Sequence, residues 1–98
     1  MNSQKYILLA QAEVQPEHRQ TVLSAAKANL PLTIAEPGCE AFFQTFNADA
    51  PNQLVFFEVF TSEEAHALHM AQDYTQTFFS TIEGLLASPP VFTRLTLV

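Results

Sequence analysis

Apolar positions fall into two rhythms along the chain. Residues 5–14, Lys-Tyr-Ile-Leu-Leu-Ala-Gln-Ala-Glu-Val, are apolar at successive positions through the middle, the pattern of a strand covered on both faces. Pro16 suits a helical first turn. From Glu17 to about Ala35 the apolar residues Val22, Leu23, Ala26, Leu30 and Ile34 recur at steps of three and four, which predicts an amphipathic helix. Pro31 lacks an N–H and crowds the Lys27 carbonyl, so a kink or an early end is expected there. Glu36-Pro37-Gly38-Cys39 reads as a breaker and turn, with Gly38 supplying a backbone angle that other residues resist.

The second half alternates faster. Ala41 to Phe46 and Leu54 to Phe60 are predicted strands, joined through a hairpin connection over Asn47 to Asn52. The Leu54–Phe60 strand is apolar on both faces except for Glu58. Thr61 followed by Glu64 is a capping-box pattern and predicts a short helix from Glu63 to Met70. Asp73 is placed to cap a further helix from Tyr74 to Leu86, with Phe78, Ile82 and Leu85 on one stripe, stopped by Ser88-Pro89-Pro90. Val91 to Val98 reads as a last strand interrupted by Arg94. The order β-α-β-β-α-β predicts an α+β, ferredoxin-like domain spanning residues 1–98, with a four-stranded antiparallel sheet and helices on one face. Two strands are apolar on both sides while helices cover one face only. A second copy, paired sheet to sheet, is the expected cover for the other.

Composition narrows the function. With 98 residues, 48% of them apolar and 14% charged, the chain is rich in core material for one domain and poor in the features of disorder. Nine Phe and two Tyr are more aromatic surface than so small a body readily hides, which points to an oligomer or an apolar pocket. The net charge is −6, and the four Lys and Arg are scattered, so no basic patch is available for nucleic acid or for an anionic membrane surface. No apolar run approaches the roughly 20 residues of a membrane span, and the N-terminus does not read as a signal peptide. A cytoplasmic location is therefore the expectation. A single cysteine, Cys39, excludes an intrachain disulfide and a multi-cysteine metal cluster.

The residue carrying most information is Glu58, which shares a strand face with Leu54, Phe56 and Phe60. A carboxylate there is costly unless paired or hydrogen-bonded. It is either a base, or the orienter of a base, in a pocket between sheet and helices, or a structural partner for a helix-end group. His69, near the end of the short helix, is expected to point back at Glu58, a pairing that fixes its tautomer and raises its basicity. His66 lies three residues earlier on the same face, and Glu58 would be the only nearby third ligand for a metal, so no metal site is assigned. Tyr74 is a candidate donor to a ligand oxygen, and Phe56 a candidate wall of an aromatic-binding slot. His18 is read as solvated. Cys39, flanked by Glu36 and Glu40, is read as a packing residue, because acidic neighbours raise a thiol pKa.

Three pieces together resemble a known family: Glu36-Pro37-Gly38-Cys39, the strand ending Phe57-Glu58-Val59-Phe60, and Ser62-Glu63-Glu64-Ala65-His66-Ala67-Leu68-His69. In this order and spacing they look like the antibiotic biosynthesis monooxygenase domain. The resemblance implies a ferredoxin-like monomer that pairs as a dimeric α/β barrel. Its members include quinol and anthrone oxygenases that work without metal or flavin, haem-degrading enzymes, and isomerases of small sugar-derived signals. The chain departs from the family in having no Trp, in carrying Asp73-Tyr74-Thr75 where Pro-His-Phe is common, and in placing His66 at a usually aliphatic position. The leading expectation is a homodimer binding an apolar or aromatic small molecule and oxidising a quinol-like or polyphenolic substrate with O₂ and no cofactor. His69 would be the base, Glu58 its orienter, and Tyr74 and His66 would contact substrate. The alternatives are a proton-transfer isomerase using the same His and Glu, and a non-enzymatic dimeric binding module.

Overall fold

A computed structural model describes residues 4–98. Its elements follow the expected order: β1 (Tyr6–Glu13), a single 3-10 turn (Pro16–His18), α1 (Arg19–Ile34), β2 (Cys39–Asn47), β3 (Ala50–Phe60), α2 (Glu63–Ala71), α3 (Asp73–Ile82) and β4 (Val91–Leu95). The strands form one antiparallel sheet in the order β2-β3-β1-β4, and the architecture is the ferredoxin-like α+β fold.

Strand register sorts the side chains into two faces, because alternate residues point to opposite sides. Toward the helices lie Tyr6, Leu8 and Ala10 of β1, Leu54, Phe56, Glu58 and Phe60 of β3, and Phe42 of β2. Val22, Ala26, Phe42, Leu54, Phe56, Phe60, Phe78 and Ile82 form the buried cluster between sheet and helices. One row across this face reads Phe42, Glu58, Leu8, Arg94. The opposite face carries Leu9, Val55, Phe57, Val59, Ala41 and Phe43. No helix covers it, and Phe43 there is 58% exposed.

Several local expectations are corrected. α1 runs through Pro31 to Ile34 rather than ending early. Proline removes only its own N–H bond, and downstream the Thr33 hydroxyl donates to the Asn29 carbonyl at 3.0 Å. The buried stripe of α1 is Val22, Ala26, Asn29 and Thr33, while Ile34 is 55% exposed. The helix is thus rotated so that Asn29 and Thr33 face inward and Ile34 outward, while Leu30 packs at the edge of the core as expected. The connection expected over Asn47–Asn52 is a tight loop, with Asn47 opposite Ala50 and the Asn47 Oδ1 accepting from the Asp49 N–H at 2.8 Å. Ser62, not Thr61, caps α2: its backbone is extended and its hydroxyl accepts from the Ala65 N–H at 3.1 Å. Asp73 is the first residue of α3 rather than its cap.

α3 ends at Ile82 instead of Leu86. Gly84 adopts φ +85°, which turns the chain out of the helix, and Leu85 to Ala87 then bond back to Glu13 and Gln15 after β1. Gly38 does not hold a positive φ as expected. Its requirement is space: a Cβ there would stand 2.5 Å from the Ala65 Cβ of α2. The turn after α1 therefore rests directly on α2. His18 is half-buried rather than fully solvated.

Candidate active site

Between the sheet and α3 lies a narrow apolar slot of about 40 Å³. Ala10, Leu54 and Phe56 of the sheet, Phe78 and Phe79 of α3, and Phe92 of β4 line it, and Glu58 is its one ionisable group. Phe56 stacks on Phe78 with centroids 5.9 Å apart, and Phe79 meets the edge of Phe92 at 6.5 Å. Phe92 is 51% exposed and sits on an edge strand, so it forms the outer wall. A larger, open groove of about 640 Å³ separates α1 from α3. Asp73 and Tyr74 line it, whereas Glu58 lines the slot.

Glu58 is 6% exposed, and no hydrogen-bond donor to it is found among the described residues. Burial first, and the nearby Glu36 carboxylate second, push its carboxyl up to about 7. A carboxyl in this state both takes and returns a proton near neutral pH.

The expected Glu58–His69 pair is not formed. His69 Nδ1 lies 2.9 Å from Glu36 Oε2 instead. An ionised carboxylate only accepts, so Nδ1 carries the proton and donates. The same Oε2 accepts from the Tyr74 hydroxyl, which also reaches the Leu32 carbonyl at 3.2 Å, an orphan carbonyl in the last turn of α1. The Thr75 hydroxyl stands 3.5 Å from His69 Nδ1. Tyr74 thus lines the α1–α3 groove and not the slot. Burial first, then the bond to Glu36 and its charge, push its hydroxyl to about 12.

His69 is 3% exposed, between the rings of Phe42 and Phe60 at 5.6 and 5.1 Å. His66 stacks on Tyr6 at 4.2 Å, with the Arg94 guanidinium 3.9 Å from the Tyr6 ring centre. Burial first, then repulsion from His69 in its protonated form and from Arg94, lower its pKa. Its ring centroid is 6.2 Å from that of His69. Among the described residues no group of three His, Cys, Asp or Glu side chains is disposed to hold a metal ion. The Cys39 thiol is raised by burial, Glu36 and Glu58. That agrees with its reading as a packing residue, with Glu58 in the part expected of Glu40, which pairs with Lys5 at 2.6 Å.

Of the expected site residues, then, Glu58 and Phe56 share the slot, while His69 and Tyr74 meet at Glu36, and His66 stands apart on the Tyr6 stack. Sequence reasoning missed the central part of Glu36. A signal was present: a carboxylate just past a helix C-terminus opposes the dipole and calls for a compensating donor. Phe79 and Phe92 were also missed as slot walls, for Phe is unremarkable in a chain with nine of them.

Residues 5–81 match the model of the antibiotic biosynthesis monooxygenase family. The chain belongs to that family. The fold agrees closely with solved structures. A Nitrosomonas europaea protein named for the same family superposes with a TM-score of 0.93 at 21% identity, over 100% of this chain and 94% of that one. The Rv0793 protein of Mycobacterium tuberculosis gives 0.90 at 24% identity, over 96% and 95%. A conserved protein from Methanosarcina mazei gives 0.90 at 19%, over 95% and 92%. At these identities the likeness is one of fold. No functionally curated protein matches the chain. In this member of the antibiotic biosynthesis monooxygenase family, the Glu-Pro-Gly-Cys turn supplies the Glu36 carboxylate and, through Gly38, the close seat on α2 that brings His69 within reach of it.

Proposed function

We propose that this protein oxidises a small, flat quinol or polyphenol with O₂ in the slot above Glu58, with Glu58 rather than His69 as the base. The observation that supports this reading is a lone carboxyl titrating near neutrality on an otherwise apolar floor. Glu58 takes the phenolic proton, and the electron-rich ring anion reduces O₂. A C–O bond forms at ring carbon to give a hydroperoxide. Its O–O bond then breaks, leaving one oxygen on the ring and releasing the other as water, with the proton returned by Glu58. For para-hydroquinone the sum is hydroquinone plus O₂ giving hydroxyquinone plus water. The substrate supplies all the electrons, so the protein binds, deprotonates and excludes water.

The slot is far below the roughly 300 Å³ of an ordinary ligand pocket, so binding requires the Phe92 wall to swing outward. The reading includes a homodimer, with the uncovered sheet face of Val55, Phe57 and Phe43 meeting its copy. Light scattering at micromolar concentration should give twice the chain mass of 10.9 kDa, and a monomer mass refutes this part.

Oxygen uptake with a panel of para-hydroquinones tests the reaction. Turnover above autoxidation is expected, one labelled atom from isotopic O₂ should enter the product, and Glu58→Gln should lose at least 100-fold, the low end of what a positioned acid–base group contributes. Turnover that survives Glu58→Gln unchanged refutes the assignment. The small slot volume favours a second reading, a binding module without turnover. Tight binding of a quinone with no oxygen uptake would support it.

A further inference from the structure

We propose that Glu36 is the positioning residue of this site: its Oε2 holds His69 in the Nδ1–H tautomer and ties the first turn of α3 to the end of α1. The proposal rests on the slot being the functional site. Three elements meet at that oxygen. Glu36 follows α1, His69 ends α2, and Tyr74 opens α3. A single extended residue, Gln72, joins α2 to α3 and leaves their relative angle open to side-chain ties. Of these, the bonds from His69 Nδ1 and from the Tyr74 hydroxyl to Glu36 Oε2 are the ones that also reach α1. The second reaches the Leu32 carbonyl as well.

The geometry has two consequences. With Nδ1 committed to Glu36, the lone pair of His69 is on Nε2, and the ring is a fixed dipole rather than a mixture of tautomers. And α3 carries Phe78 and Phe79, two walls of the slot, so the position of its first turn sets the slot's width. The Glu36 charge acts on Cys39 of β2, Glu58 of β3, His66 of α2 and Tyr74 of α3. Arg94 of β4 lies over the Tyr6 ring, on which His66 stacks, and its charge also acts on His66. A carboxylate placed against the negative end of α1 is retained because two donors offset that cost.

Nitrogen NMR of the His69 ring, in the intact protein at pH 8, tests this without a substrate. Wild type should show a protonated Nδ1 and a bare Nε2. Glu36→Ala should lose the single tautomer, while Glu36→Gln, which keeps an acceptor oxygen, should retain it. In Glu36→Gln the Glu58 carboxyl, followed by carbon NMR, should titrate below its wild-type midpoint, because the like charge is gone. A bare Nδ1 in wild type, or an unchanged Nδ1–H tautomer in Glu36→Ala, overturns the proposal. Should Glu36→Ala fail to fold, an unmoved Glu58 midpoint in Glu36→Gln overturns it. These readouts are independent of turnover. If hydroquinones prove not to be oxidised, the proposed reaction fails and the tautomer result stands on its own.

Discussion

Two carboxylates near enough to feel each other's charge have different surroundings in this domain. Glu36 is held by two donors, the His69 ring and the Tyr74 hydroxyl, and its role is to carry charge in a fixed place. Glu58 has apolar neighbours and no donor, so burial drives it toward the neutral acid and up to about 7. The residue type is the same. Two donors meet one carboxyl, while desolvation and a like charge raise the other. Each also needs the other, since the charge kept on Glu36 is part of what keeps the proton on Glu58.

The sharpest way to break this contrast is Glu58→Gln. A carboxyl whose pKa rises from 4.5 unfolded to about 7 folded binds its proton more tightly in the native state. Its contribution to stability is complete below pH 4.5 and is lost as pH climbs through 7. Glutamine mimics the neutral form at every pH. Denaturant unfolding should therefore find Glu58→Gln more stable than wild type by about 2–3 kcal/mol at pH 8, with the gap closing below pH 4.5. Equal stability at both pH values would show that Glu58 is not destabilised by its site. A stabilised variant with lost oxidation would mark Glu58 as held for function against stability.

Tyr74→Phe strikes the other carboxylate more gently. It removes one donor from Glu36 and uncaps the Leu32 carbonyl while leaving His69 in place. Unfolding should cost about 1–2 kcal/mol, and hydrogen exchange should quicken in the last turn of α1. A cost below about 0.3 kcal/mol would mean that water replaces the hydroxyl without loss. The smallest effect belongs to a third carboxylate, Glu40, which meets Lys5 at 2.6 Å on the surface. Glu40→Gln should change stability by under about 1 kcal/mol and less in high salt. A larger effect would show that this exposed pair is worth more than surface ion pairs usually are.

Much of the frame could be read along the chain. The apolar doublets of Leu8-Leu9 and Phe56-Phe57 marked β1 and β3 as strands. Glu58 stood out because a charge on a Phe-rich strand face needs a reason. The resemblance carried by the Glu-Pro-Gly-Cys turn, the Glu58 strand and the His69 helix led to the right family. What failed was pairing. His69 was matched with the carboxylate nearer in sequence, eleven positions away, whereas its partner is Glu36, separated by 33. The α1 face was misjudged for a related reason. Helical spacing alone supports both the stripe of Val22, Ala26, Leu30 and Ile34 and that of Val22, Ala26, Asn29 and Thr33, and hydrophobicity favours the first.

Local rules thus determined which segments become strands and helices, since period, proline and glycine act over a few residues and are written in order. Sequence alone also determined that one buried strand must carry a carboxylate. Only the tertiary structure decided what that carboxylate meets. The seat of α2 on Gly38, 2.5 Å from where a Cβ would stand, draws His69 toward the end of α1, where the Glu36 carboxylate accepts its proton donor. The entry angle of α3 spends Tyr74 on the same oxygen and lays Phe78 and Phe79 over Glu58. A buried charge selects its partner by distance and desolvation in three dimensions, and no pattern along the chain carries that information.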